Sequence, residues 1–368
     1  MSDLTLGLLS ALLATNQPVA VSNLVAEHTG VALPIVDTND PAERELRNLM
    51  ISDDAALDEI NSWISTNQIP RTDTNSLALL NTRIHIRLDA VKHDYETFLR
   101  NHPDSARGFL AYGTFLNDTG DEEGAKAQYE NSKQLNPKNP AVWNQLANYF
   151  GEHGELTNSF AGYTEAIRLD PAEPVYYQNF ATTVYLYRKD AREFYRINEQ
   201  QVFDKALGLY QRAMKLAPEN LVLATDYAVS YYGIKPFRTN DALLSWTNAL
   251  NICRDENERE GVLLHLARTK IATGFFDEAQ AHLDAVTNRV FGDLKDRLIR
   301  SLADHKNPPP DVAGEIATNT IAATTNLEVT ATNALVAPTN QIPVATNELN
   351  TASNLLAAPP QLRKQRTQ

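Results

Sequence analysis

The chain has 368 residues and a net charge of −13, from 33 Lys and Arg against 46 Asp and Glu. This excess of negative charge is evidence against a nucleic-acid backbone or an anionic membrane surface as the main partner. A single cysteine, Cys253, excludes an intramolecular disulfide and a zinc site built from several cysteines.

Residues 1–72 are predicted to form an acidic, helical N-terminal segment. Residues 4–14 are an apolar run with leucines at helical spacing, too short to cross a bilayer. No basic residue precedes this run, so we expect an amphipathic docking or core helix; the alternative is an atypical export signal.

Two further helices are predicted in this segment. Asp40, Pro41 and Glu43 have the spacing of a cap, a first-turn proline and an acidic third residue, which predicts a helix over about 41–50. The run 52–54, Ser-Asp-Asp, predicts the start of a second helix that ends before Pro70.

A longer helix is predicted from about Asp73 to Arg100, with apolar residues at spacings of three and four. His85, Asp89 and His93 follow one another at intervals of four on this helix, a spacing that offers metal ligands. Three ligands on consecutive turns are spread too far to surround one ion, so the pattern favours a polar helix face. We expect no metal and no cofactor.

From residue 106 the sequence repeats with a period of 34 residues. Residues 106–139 and 140–173 align with large residues on large, small on small and proline on proline. The matching pairs include Phe109 and Trp143, Tyr112 and Leu146, Gly113 and Ala147, Gly120 and Gly154, Tyr129 and Tyr163, and Pro137 and Pro171. This pattern resembles the tetratricopeptide repeat, a helix–turn–helix unit.

The resemblance implies an all-α solenoid over residues 73–306. Its later units are expected near 174–220, 221–259 and 260–290, and a capping helix over 287–306 is expected to turn five apolar side chains inward. Those side chains are Val290, Leu294, Leu298, Ile299 and Leu302. Residues 307–368 have no aromatic residue, are rich in Thr, Asn, Ala and Pro, and are expected to be a disordered tail.

The unit at 174–220 contains an insertion of 13 residues before its second helix. Helical spacing continues through the insertion, so we expect longer helices that project ~10–20 Å, at ~1.5 Å per residue, in preference to a loop. Its content is aromatic and basic. Either the rings pack on the neighbouring unit and the cations stay solvated, or the protrusion has a binding role. In the second case it supplies one wall of the ligand groove or contacts an acidic partner, including the chain's own N-terminal segment.

The resemblance also implies binding of a protein or peptide on the concave face formed by the first helices. Residues expected to line that face are mostly amides, hydroxyls and aromatics, and Asn and Gln both donate to and accept from a peptide backbone. They are Arg107, Leu110, Thr114, Asn117, Asn144, Asn148, Gln178, Thr182, Tyr185, Thr225, Tyr232 and Arg268. We expect binding energy to concentrate on Asn144, Asn148 and Gln178, with Tyr185 and Tyr232 as aromatic anchors.

No nucleophile elbow, phosphate-binding loop, dinucleotide fingerprint or zinc-protease motif occurs in the sequence. We therefore expect a non-catalytic scaffold or adaptor that binds another protein or peptide, and neither a nucleic acid nor a membrane span. The alternative is a structural assembly component of the cell envelope or of a larger complex. A cytoplasmic location is expected, with an exported or envelope-associated location as the alternative. The sequence does not fix the partner or the oligomeric state.

Overall fold

The computed structural model describes residues 40–66 and 73–307. The leucine-rich helix expected at 4–14 and the tail at 308–368 lie outside the described residues. Within these ranges the regular secondary structure consists of fourteen α-helices and two short 3-10 helices. The prediction of an all-α fold is confirmed. The chain divides into two compact units between Tyr149 and Phe150, inside one helix.

The described part of the first unit consists of four helices and most of a fifth. These are α1 (Pro41–Thr66), α2 (Thr74–Asn101), α3 (Ala106–Asp118), α4 (Glu122–Leu135) and α5 (Pro140–Glu152).

Helix α1 corrects the prediction of two separate helices, because it runs without a break through the run 52–54. The expected cap is present, since the Ala42 N–H donates to Asp40 Oδ1 at 2.9 Å. Asp53, taken from the sequence as part of a helix start, is buried in the middle of α1. The Tyr95 hydroxyl on α2 donates to its carboxylate at 2.8 Å. A tertiary contact therefore explains a residue that in isolation resembles a cap.

Helix α2 confirms the helix predicted over 73–100. Its cap is Asp73, whose side chain accepts from the Ser76 N–H at 3.1 Å. The inward part of the predicted apolar stripe is buried, whereas His85, Asp89 and His93 are exposed. The buried members of the stripe are Ile84, Val91, Tyr95 and Phe98.

Helices α3 and α4 form the predicted hairpin of the first full repeat. Gly120 has φ of 86° at the turn, a conformation that favours glycine. At Gly113 the two helices approach so closely that a Cβ would lie 2.6 Å from the Tyr129 ring and 3.1 Å from the Ala125 carbonyl oxygen. The small residue of the repeat pattern is thus required by the packing of these two helices.

Acidification is expected to stabilise the first unit through Asp53, because burial raises the pKa of this carboxyl to about 6. The folded protein then binds the proton more tightly than the unfolded chain, whose Asp pKa is about 3.9. The free energy of unfolding should rise by about 1–2 kcal/mol as the pH falls from about 7 to about 4.5. Urea denaturation at the two pH values, monitored by circular dichroism, measures this change in the free energy of unfolding.

Asp118 in the same unit titrates in the same direction, so the contribution of Asp53 must be isolated. Asp53→Asn should be more stable than the wild type at pH 7 and should lose part of the rise on acidification. Equal stability differences between variant and wild type at pH 7 and pH 4.5 would show that Asp53 does not take up a proton in the folded state.

The second unit contains nine further helices within the described residues. They are α6 (Leu156–Leu169), α7 (Pro174–Leu186), α8 (Arg188–Tyr195), α9 (Glu199–Leu216), α10 (Leu221–Ser230), α11 (Thr239–Asn251), α12 (Glu256–Ala272), α13 (Phe276–Asp284) and α14 (Gly292–Lys306), with 3-10 helices at Tyr231–Gly233 and Arg289–Phe291. Tight turns with positive φ occur at Gly154 and Gly274, as the repeat pattern predicts.

The insertion forms a separate helix, α8, and not two lengthened helices that project together. Ala191 is fully buried, and the rings of Phe194 and Tyr195 lie 5.3 and 5.7 Å from the Phe160 ring on α6. The Lys205 ammonium lies 4.1 Å from the centre of the Tyr195 ring. Burial of Ala191 and the contacts of the two rings with Phe160 thus fold the inserted residues onto the neighbouring repeat, 140–173, as the first of the two interpretations expects.

The capping helix begins at Gly292, and the side chains it buries differ from the prediction. Val290 lies in the preceding 3-10 helix and is 81 % exposed, while the neighbouring Phe291 is buried. Ile299 is 37 % exposed, whereas Leu298 and Leu302 are buried. A 3-10 turn before the helix shifts the register, which moves Val290 outward and Phe291 inward.

Among the described residues no helix is both long and apolar enough to span a bilayer.

Candidate functional site

The predicted binding residues on α3 are engaged by their own chain. The Arg107 guanidinium forms an ion pair with Glu43 of α1 at 2.5 Å. The Thr114 hydroxyl donates to the Leu110 carbonyl at 3.1 Å. Asn117 is exposed, and its amide lies 3.5 Å from the Asp118 carboxylate. The polar groups of this face are therefore largely satisfied within the first unit.

The two predicted asparagines of α5 differ in accessibility. Asn144 is only 6 % exposed. Asn148 is half-buried, and its amide donates to Gln145 Oε1 at 3.0 Å. A buried Asn144 side chain offers little surface to a ligand, so we leave it outside the binding surface proposed below.

In the second unit, a hydrogen bond joins the first helices of two successive repeats. Gln178 on α7 donates from Nε2 to Oδ2 of Asp226 on α10 at 2.7 Å. Both side chains are half-buried and retain contact with solvent. The amide and the carboxylate therefore form a polar bridge between α7 and α10.

Thr182, one turn beyond Gln178, extends this polar region. Its hydroxyl lies 3.0 Å from the Gln178 carbonyl and 2.8 Å from the hydroxyl of the buried Tyr210 on α9. We call the set Gln178, Thr182 and Asp226 the α7–α10 patch. Two of its three residues were predicted from the sequence.

The predicted aromatic residues lie deeper than the patch. Tyr232 is 5 % exposed, and its hydroxyl lies 3.2 Å from the Thr269 hydroxyl in the core. The Arg268 guanidinium lies 4.6 Å from the centre of its ring. The half-buried Tyr185 packs on Phe203, with ring centres 6.1 Å apart. Tyr232 is thus a core residue, and only Tyr185 remains accessible next to the patch.

The remaining predicted residue, Thr225, is half-buried on α10. Its hydroxyl donates to the Val222 carbonyl of its own helix at 2.8 Å. This local bond satisfies the hydroxyl donor and leaves its oxygen as an acceptor.

Asp226 is the functional candidate that sequence reasoning missed. Burial raises the pKa of its carboxyl to about 6, and the hydrogen bond from Gln178 only partly offsets this effect. Among the described residues, the Gln178 hydrogen bond is the only interaction that lowers this pKa against the effect of burial. Asp226 is also the single charged residue of α10, in an otherwise apolar and small-residue segment, and this was the signal available in the sequence.

Other chemistry-bearing residues do not converge in the part of the chain that the structure describes. There, no group of three His, Cys, Asp or Glu side chains is placed to hold a metal ion. Burial, with the nearby charges of Glu258 and Asp255, raises the pKa of Cys253 to about 11. Its thiol is therefore protonated at neutral pH and is a weak nucleophile.

Comparisons with known proteins find similar solved structures, but no family model and no curated protein matches the chain. The C-terminal part of a TPR repeat-containing protein from Cytophaga hutchinsonii is 16 % identical over 71 % of this chain and 98 % of that one, with a TM-score of 0.46. Pseudomonas aeruginosa pilF is 14 % identical over 69 % and 99 %, with a TM-score of 0.45.

A third structure is YrrB, described as a TPR protein with an unusual peptide-binding site. It is 12 % identical over 58 % of this chain and 97 % of that one, with a TM-score of 0.42. Likenesses at this level carry no inference about function. The tetratricopeptide-type repeat is supported by the 34-residue sequence period and by the helical hairpins with their positive-φ turns.

Proposed function

We propose that this chain, built from helical hairpins of the tetratricopeptide type, is a non-catalytic scaffold that binds a peptide segment of another protein. The observation that carries the proposal is the α7–α10 patch, in which an amide and a carboxylate from successive repeats meet at 2.7 Å and both reach solvent. The known binding habits of peptide-recognising helical repeats support the proposal by analogy only.

The chemistry of the patch suits an extended peptide. Gln178 uses one N–H for Asp226, so its second N–H and its carbonyl oxygen are left to pair with a peptide C=O and N–H. The Thr182 oxygen retains acceptor capacity. These groups recognise backbone without a demand for particular side chains, and Asp226 adds a preference for a positive group.

Loss of the patch is expected to weaken partner binding while the fold is retained. The variant carries Gln178→Ala and Thr182→Ala in the full chain, and its affinity for a partner captured by the wild type is measured by calorimetry. Removing groups that pair with a buried peptide backbone costs about 1–3 kcal/mol. We therefore expect affinity to fall about tenfold or more.

The second unit offers a matched control at a distance from the patch. Thr247 on α11 donates to its own helix as Thr182 does, and Gln280 on α13 donates to Asp284 at 2.8 Å as Gln178 donates to Asp226. The variant Thr247→Ala, Gln280→Ala should bind as the wild type does. Full affinity in the patch variant, together with loss of binding on Arg192→Ala, would place the binding surface on α8 instead.

A further inference from the structure

Helices α1 and α3 of the first unit carry charged residues in matching positions. An ion pair between Glu43 and Arg107 joins their first turns. Eleven residues, or about three turns, further along each helix lie Asp54 and Asp118, on the same sides as that ion pair. The charge of Asp54 raises the pKa of Asp118, so the two carboxylates are close enough to interact. An acid is thus near an acid where the first turns pair an acid with a base.

A third carboxylate, Asp53, belongs to the same group and is buried. Its side chain is 9 % exposed. The Tyr95 hydroxyl donates to Oδ2, whereas Oδ1 is buried and accepts no hydrogen bond among the described residues. The charges of Asp54 and Asp118 both act on this carboxyl and raise its pKa. Since an unpaired oxygen of a buried carboxylate is costly, Oδ1 marks a place where a donor is missing.

The groups that counteract these negative charges are uncharged. Among the described residues, the Tyr95 hydroxyl lowers the pKa of Asp53 and the Asn117 amide lowers that of Asp118. Burial and a neighbouring carboxylate raise the pKa of Asp54. Asp118 is also the last residue of α3, where the helix dipole adds partial negative charge. The chemistry of this place therefore calls for a cation.

We propose that Asp53, Asp54 and Asp118 form an acidic site that binds a basic side chain of a partner protein. A lysine or arginine side chain carries its charge at the end of a long apolar stem, so it can reach a recessed carboxylate between two helices. The exposed Asp54 and the half-buried Asp118 receive the cation, and Oδ1 of Asp53 is the acceptor beneath them.

A metal ion fits the acidic site less well than an organic cation. In the described part of the chain, no group of three His, Cys, Asp or Glu side chains is placed to hold a metal ion. An ammonium or guanidinium group needs no such closed set of ligands, because each of its N–H groups pairs with one oxygen.

A labelled synthetic peptide of alternating serine and arginine is the probe, titrated into the full chain and followed by fluorescence anisotropy. We expect saturable binding by the wild type. The variant Asp54→Asn, Asp118→Asn should bind about tenfold more weakly or worse, because hydrogen bonds between charged groups are lost.

A matched control is needed because an acidic chain attracts any basic peptide. Asp89→Asn, Asp94→Asn removes the same charge from two exposed positions of α2 in the first unit, and should lower the affinity less than about twofold. Absence of saturable binding by the wild type, or an equal loss in the two variants, would overturn the proposal.

A second readout supplies the cation within the chain. Asp118→Lys places an ammonium group beside Asp53 and Asp54, and should raise the melting temperature by about 2–4 °C and weaken probe binding. The new lysine also interacts with the end of α3, so the substitution is repeated with Asp53→Asn and Asp54→Asn. There the rise should be at most about half as large. An equal change in melting temperature in both backgrounds, whatever its sign, would contradict the proposal.

These outcomes are separate from the test of the α7–α10 patch, which uses variants of the second unit. If the Gln178 and Thr182 variant loses its partner while the probe never binds the wild type, the scaffold proposal stands and the acidic site is refuted. If the probe requires Asp54 and Asp118 while the patch variant keeps its partner, the acidic site stands and the patch is refuted.

Discussion

Gly113→Ala is expected to destabilise the protein by about 1–3 kcal/mol, although alanine is the better helix former. The new methyl group would lie 2.6 Å from the Tyr129 ring and 3.1 Å from the Ala125 carbonyl oxygen. The ring is buried and the carbonyl belongs to the backbone of α4, so neither moves without displacing the helix. Chemical denaturation of the full chain gives the change in free energy of unfolding.

Gly208→Ala is the matched control, because Gly208 is also in a helix interior but a Cβ there meets nothing within 4 Å. This substitution should stabilise the protein by about 0.5–1 kcal/mol through helix propensity alone. The two changes are identical in chemistry and opposite in expected sign. A stabilising effect at both positions would mean that α3 and α4 do not pack as closely as described.

Glu260→Ala is expected to lower the free energy of unfolding by about 2–4 kcal/mol, because two backbone donors lose their acceptor. The Glu260 carboxylate is buried and accepts from the Thr287 N–H at 3.0 Å, the Thr287 hydroxyl at 2.8 Å and the Asn288 N–H at 2.7 Å. It thereby fixes the connection from α13 to α14. Urea titration monitored by circular dichroism measures the loss.

The stabilisation by Glu260 and that by Asp53 are expected to change in opposite directions with pH. Burial alone would raise the pKa of Glu260, but the hydrogen bonds from Thr287 and Asn288 outweigh burial and lower it. The stabilisation is therefore present at neutral pH and is lost as the pH falls through this lowered pKa, below about 4.3. The control is Glu256→Ala, an exposed residue one turn earlier, where less than about 1 kcal/mol is expected.

The repeat fold was predictable because its signals are local and periodic. The alignment of Gly113 with Ala147 and of Gly120 with Gly154 predicted close helix approach and a tight turn, and the structure shows both at Gly113 and Gly120. Each feature follows from the size of one side chain or from one backbone conformation. No knowledge of distant residues is needed for either.

The errors arise where a distant residue determines the role of a local one. Asp53 has the sequence context of a helix cap. In the fold it is instead a buried acceptor, which receives a hydrogen bond from the Tyr95 hydroxyl 42 positions later. Tyr232 is spaced like a binding residue, but hydrogen-bonding partners on α12 hold it in the core. Periodicity identifies the side of a helix on which a residue lies, and not what covers that side.

The α7–α10 patch, which we propose as the peptide-binding surface, was predictable only in part for the same reason. Gln178 and Thr182 were identified from the repeat register, whereas Asp226 lies one position away from the register used for the concave face. Its pairing with Gln178 depends on the distance between α7 and α10, which the sequence does not specify. A lone charge in an apolar helix is nevertheless a usable signal for such a residue.

The packing of α8 has a consequence for how this repeat tolerates shortening. Excision of residues 187–198 would restore a length close to the 34-residue period, and a surface loop would survive such a deletion. Here the excision would remove Ala191 and the two rings that cover Phe160, and would leave an apolar cavity on α6. The inserted helix thus covers part of the core through Ala191 and its two rings, so deletion of the insertion should carry a cost in stability.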